Sequence, residues 1–169
     1  LLLTVFFLYL NTYRRKLLDK LRHIFFFTIL MAIIIAVAAF TLRYAPTGFI
    51  YIVPFTWCPI IARVFYDSRT AIFVHLITIF IISLAAPAPY LFILIQFIVG
   101  VIAVISLRDM TQRAQLAQTA AFILLSYSIL YTAATLLMAG NISDIDYRYY
   151  IYFAINAVLV ICSYGLIFL

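Results

Sequence analysis

Glutamate is missing from this 169-residue chain, and five aspartates are its only acids. Charged residues of either sign make up 9% of the sequence, against about a quarter in a soluble globular domain. A chain of this length folded in water would keep a large share of its surface in contact with solvent. With 69% hydrophobic residues and a mean hydropathy of +1.23 it has too few polar residues to cover that surface. The solvent is therefore lipid. Cysteine is scarce too. Cys58 and Cys162 both sit inside apolar runs with no CxxC or Cys/His spacing, so neither a disulfide framework nor a zinc site is expected. There is no glycine-rich phosphate loop, no GxSxG and no HExxH. All five aspartates fall at expected loop positions, so the acidic pairs that intramembrane proteolysis or prenyl transfer would need are missing. An active site within these residues is not expected. Long unbroken apolar runs replace the ten-residue alternation of a membrane β-barrel, which leaves an all-α fold.

What is present is a series of apolar stretches parted by short polar turns. Leu1 to Leu10 is too short for a bilayer core of about 30 Å at about 1.5 Å per residue. It is expected to be the truncated end of a first span, with no cleavable signal peptide, in a chain that reads as part of a longer protein. Arg14, Arg15, Lys16, Lys20 and Arg22 follow, with Leu17, Leu18 and Leu21 at helical spacing. This is either a basic amphipathic connector for an anionic membrane surface or a plain charged loop. Six further spans are expected over residues 24–42, 49–65, 70–86, 90–107, 117–139 and 149–169. The turns between them hold Pro46 and Gly48, Asp67 to Arg69, Pro87 to Pro89, Arg108 to Gln118 and Gly140 to Arg148. Asp67 is placed to cap the helix after it. The whole chain, 1–169, reads as one domain, a polytopic helical bundle of seven transmembrane segments.

Basic residues set the orientation. Arg14, Arg15, Lys16, Lys20, Arg22, Arg63, Arg69, Arg108 and Arg113 fall on one side of the alternating spans, and Arg43 and Arg148 on the other. By the positive-inside rule the first side is cytoplasmic, the N-terminus is outside and the C-terminus is cytoplasmic. The net charge of +6 is thus a matter of topology, and no nucleic-acid partner is expected. Tyr44, Tyr51, Tyr90, Tyr147, Tyr149 and Tyr150 lie near the outer ends, where an aromatic belt belongs.

Polar residues inside spans are costly in lipid and so carry information. Gln96, Asn156 and Trp57 lie about 9, 10 and 12 Å from the outer surface at the helical rise. They form a candidate ligand cavity, the alternative being that Gln96 and Asn156 are interhelical glue. His75, near the cytoplasmic side, is either a pH-responsive partner of Asp67 or Asp109 or a satisfied interface histidine. Pro54 and Pro59, five apart in one short span, make a candidate hinge. Carbonyls freed at membrane depth are tolerated only against protein or a water-filled cavity. Arg63, Asp67 and Arg69, with Arg108, Asp109 and Arg113, form a candidate cytoplasmic coupling turn.

Several of these features make a pattern: Val53-Pro54 and Pro59 in the third span, the Arg63, Asp67, Arg69 turn with Ala71, and Gly100-Val-Ile-Ala-Val followed by Arg108 and Arg113-Ala-Gln-Leu116. The chain resembles the seven-transmembrane receptors that carry an intracellular HD (His-Asp) phosphohydrolase domain, a group that includes the cyclic-di-AMP phosphodiesterases. The resemblance implies an extracellular domain before the spans. After them it implies a metal-dependent HD domain that hydrolyses cyclic di-AMP to a linear dinucleotide. A divalent metal is expected only in that HD domain. His23 is followed by Ile24 and His75 by Leu76, so no catalytic residue, metal ligand or cofactor site carries over. The expected function is a sensor and anchor in the bacterial inner membrane, coupling an unknown small ligand to the HD domain. A homo-oligomer is compatible with it. The alternatives are a small-molecule transporter, or a membrane subunit of a transport complex, and a bare anchor. The transporter lacks midplane ionisable groups and repeats to support it.

Overall fold

A computed structural model gives the fold and describes residues 4, 5, 8, 9, 12, 21–107, 114–141, 143 and 145–163. Among the described residues all regular structure is helical: α1 (Leu21–Tyr44), a 3-10 helix (Thr47–Ile52), α2 (Trp57–Phe65), α3 (Ser68–Ser83), α4 (Pro89–Ser106), α5 (Ala114–Ala139) and α6 (Arg148–Cys162). The expected truncated span at 1–10 and the basic connector lie largely outside the described residues. Tyr9 is described, and it stacks on Phe73 of α3 with ring centroids 3.9 Å apart.

Local chemistry explains where the helices stop and start. Nothing in α1 breaks it for 24 residues, about 36 Å at about 1.5 Å per residue. It ends at Ala45-Pro46, because the residue before a proline is pushed out of the α region. α3 begins at an Asp67 cap, whose carboxylate accepts from the Thr70 amide at 3.4 Å and the Thr70 hydroxyl at 2.8 Å. The span expected over 70–86 closes early, at Ser83. Tight bonds from the Ala85 and Ala86 amides back to Ile82 and Ser83 turn the chain ahead of Pro87. Pro89 opens α4 at a first-turn position, where a missing N–H costs nothing. α5 ends at Gly140, whose φ of 76° is the left-handed conformation that glycine takes readily after a helix.

Among the described residues four segments are long and apolar enough to cross a bilayer: Ile24–Tyr44, Thr47–Phe65, Pro89–Ser106 and Ala117–Met138. Ser68–Ser83 and Arg148–Cys162 are shorter apolar helices. Neighbours in sequence pack together from α2 through α6. α1 lies against α3 and the 3-10 helix, and α6 returns to the 3-10 helix, so the bundle closes on itself. Large apolar side chains cover its outside, among them Phe25, Ile33, Phe40, Leu125, Ile129 and Leu137. In water such a surface would aggregate. In a bilayer it is the correct exterior, and the chain is an all-α, multi-pass membrane protein.

Candidate functional site

The third span does not cross as one α-helix. Its first part is the 3-10 helix, Val53 is extended at φ −62° and ψ 122°, and α2 begins only at Trp57. The cause is Pro54. A continuing 3-10 helix would bond the amide of residue 54 to the carbonyl of Tyr51, and proline has no amide to give. Pro59 behaves differently. It is the third residue of α2, in the first turn, where amides have no intrahelical partner anyway. The neighbouring Cys58 and Ile60 amides bond to Phe55 and Thr56 at 3.2 and 3.0 Å. The break therefore belongs to Pro54.

The Tyr51 carbonyl, which Pro54 leaves without an amide, is met from α6, and the Val53 carbonyl, already bonded by the Phe55 amide at 2.9 Å, is met there a second time. Asn156 Nδ2 donates to the carbonyls of Tyr51 and Val53, both at 2.9 Å, and Asn156 is fully buried. Three residues on, the Trp57 indole N–H donates to the Leu159 carbonyl at 3.2 Å. One side chain from each partner thus clasps the broken span to the last described helix. This is the protein-lined environment that unwound backbone requires in a membrane.

A second polar group joins α3, α4 and α5. The His75 ring N–H at Nε2 donates to the Gln96 carbonyl at 2.9 Å. The Tyr127 hydroxyl donates to Gln96 Oε1 at 2.6 Å. All three residues are buried. His75 lies so close to α4 that a Cβ on Gly100 would overlap its imidazole, so glycine is the residue that lets these helices meet here. His75 Nδ1, Gln96 Nε2 and Asn156 Oδ1 are buried without a hydrogen-bond partner.

Aromatic rings connect the two groups. Phe153 of α6 is fully buried, stacks on Tyr127 at 5.1 Å and 9°, and meets Tyr51 edge-on at 5.8 Å. Beyond it Tyr131 and Tyr149 stack at 4.7 Å and 14°, and Tyr149 meets Tyr51 at 5.7 Å. Tyr51, Tyr131 and Tyr149 line a cavity of about 220 Å³ at the tyrosine-rich end of the bundle, together with Thr47, Pro87 and Phe92. A path of contacts therefore runs from this cavity through Phe153 and Tyr127 to Gln96 and His75. Two other concavities face outward. One of about 510 Å³ lies between α4 and α5, and one of about 330 Å³ between α1 and the broken span.

The residues singled out from the sequence divide accordingly. Trp57 and Asn156 meet at the clasp, and Gln96 sits in the other polar group. None of the three lines the cavities just described. Arg63 is half-buried with its Nε unpartnered, Asp67 caps α3 and Arg69 is exposed. Arg108, Asp109 and Arg113 lie outside the described residues. Sequence reading missed Tyr127, Phe153, Tyr131 and Gly100's role beside His75, and assigned Tyr51 and Tyr149 to an interfacial belt. Tyr127 and Tyr131, four apart on a span interior, were the available signal. Among the described residues no group of three or more His, Cys, Asp or Glu side chains could hold a metal ion.

The described residues thus form a multi-pass helical bundle with a broken span clasped by its last described helix and an aromatic cavity at one end. The chain matches the family model described as 7TM receptor with intracellular HD hydrolase over residues 1–169, and it belongs to that family. No curated protein and no solved structure matches it.

Proposed function

We propose that this domain senses a ligand from outside a bacterial inner membrane and transmits its occupancy to a cytoplasmic HD domain that hydrolyses cyclic di-AMP with a divalent metal. The observation that carries the reading is the clasp. Asn156 and Trp57 tie the Pro54 break to α6, so the break cannot repack without moving that helix. The basic side of the bundle supplies the orientation, with the tyrosine-rich end outward and Arg63, Asp67 and Arg69 toward the HD domain. In this reading Trp57, Gln96 and Asn156 are the residues through which binding is felt. Pro54 is the hinge.

The test uses the full-length protein in membrane vesicles. Hydrolysis of cyclic di-AMP is followed for wild type, Asn156→Leu and Trp57→Phe, with membrane insertion checked by protease protection. Both variants are expected to insert normally and to change the hydrolysis rate or its response to the external medium. Unaltered hydrolysis in both would remove the coupling role, and a full-length protein inert toward cyclic di-AMP would remove the substrate assignment.

A further inference from the structure

The crevice of about 330 Å³ between α1 and the broken span is lined by Val53, Pro54 and Leu159, so it touches both halves of the clasp. Val37, Phe40 and Tyr44 of α1 form one wall, and Ile52 and Pro54 form the other. Leu159 of α6 also lines it. Its volume sits at the small end of ligand sites, about 300 to 1,000 Å³. No charged residue lines it. Of the two hydroxyl-bearing residues on the α1 wall, Thr41 turns its hydroxyl back to the Val37 carbonyl at 2.9 Å, and Tyr44 is 67% exposed at the rim. Away from the Tyr44 rim the lining is apolar, which suits a hydrocarbon chain better than an occupant that needs hydrogen bonds. The crevice opens on the lipid-facing side of α1, where Phe40 and Tyr44 are 66% and 67% exposed.

Its rim carries a charge. The Arg43 guanidinium stands 5.7 Å over the Tyr44 ring, and that ring lines the crevice. A stacked guanidinium at the end of an apolar slot matches a phosphate or a carboxylate with a hydrocarbon tail.

We propose that this crevice binds one acyl chain of an anionic amphiphile, with its headgroup on Arg43 and its tail against Pro54 and Leu159. The chain comes from a membrane phospholipid or from a free fatty acid, which offer the same chemistry. Leu159 is the residue whose carbonyl receives the Trp57 indole. A tail lodged against it and against Pro54 presses on the break and on α6 together. The consequence for signalling rests on the sensor reading above, while the binding itself does not.

The experiment reconstitutes the full-length protein with oleate or phosphatidylglycerol, each bearing a diazirine in its acyl chain. Crosslinks are then mapped by mass spectrometry. Labelling is expected to concentrate on Val37, Phe40, Ile52 and Leu159. Val37→Trp, at a lipid-exposed position that tolerates bulk, is expected to reduce it at least fivefold. Arg43→Gln is expected to reduce it about threefold for the anionic probes, within the range of an exposed ion pair, and to leave a phosphatidylcholine probe unaffected. Labelling by oleate, by phosphatidylglycerol or by both supports the site and names the source. Labelling spread evenly over the exposed helices overturns it. So does an equal loss with Ala133→Trp, which fills the larger groove between α4 and α5. Focused labelling without any change in cyclic di-AMP hydrolysis leaves the binding site standing and counts against the sensor reading alone.

Discussion

Replacing Asn156 with leucine removes two hydrogen bonds and keeps the number and branching of the side-chain heavy atoms. Each bond is 2.9 Å long and ends on a carbonyl in the interrupted stretch of the third span. Side-chain hydrogen bonds in membrane proteins contribute about 0.6 kcal/mol on average and at most about 1.7. Two of them give about 1 to 3 kcal/mol. The upper half is the better expectation, because Pro54 has no amide to offer Tyr51 in exchange and Asn156 is fully buried. The assay is unfolding in mixed micelles with increasing SDS, with Ile155→Leu, at the adjacent residue on the exposed side, as the reference. Pro54→Ala in the Asn156→Leu background restores an amide three residues after Tyr51. It is expected to recover part of the loss, so that the double-mutant cycle shows coupling well outside additivity, about 0.5 kcal/mol. A loss no greater than that of Ile155→Leu, or strict additivity with Pro54→Ala, would refute the account of the break.

Gly100→Ala drives a methyl into the His75 ring and is expected to cost about 1 to 3 kcal/mol, the range of overpacked cores. The double variant with His75→Ala should recover most of that, which the same SDS titration reads. Pro59→Ala is expected to fall within about 0.5 kcal/mol of wild type, since Pro59 sits in the first turn of α2. A larger effect would mean that it, too, shapes the break. Asp67→Ala removes the α3 cap and is expected to cost about 0.5 to 2 kcal/mol, while Asp67→Asn should retain most of the capping.

Much of this protein is readable from local chemistry. The absence of glutamate and the scarcity of charge require lipid as solvent. The proline at 54 requires an interruption wherever that segment goes, because the missing amide is a property of the residue. The Asp67 cap acts over three residues, and the turn ahead of Pro87 also follows from neighbours in sequence. What the sequence could not supply is which faces meet. A span that is apolar on all sides has no polar stripe to mark its outward face, so periodicity is silent about packing. Gln96, Asn156 and Trp57 were placed at a common depth from sequence, and depth alone does not say which neighbours they have. The partners of Asn156 lie 103 and 105 residues away, and that of Trp57 lies 102 away. Only the folded bundle separates these residues into a clasp on the broken span and a buried group around Gln96. Only the bundle turns Tyr51, Tyr131 and Tyr149 inward to line a cavity, because an interfacial tyrosine and a cavity tyrosine are the same residue at the same depth until the helices choose their rotation.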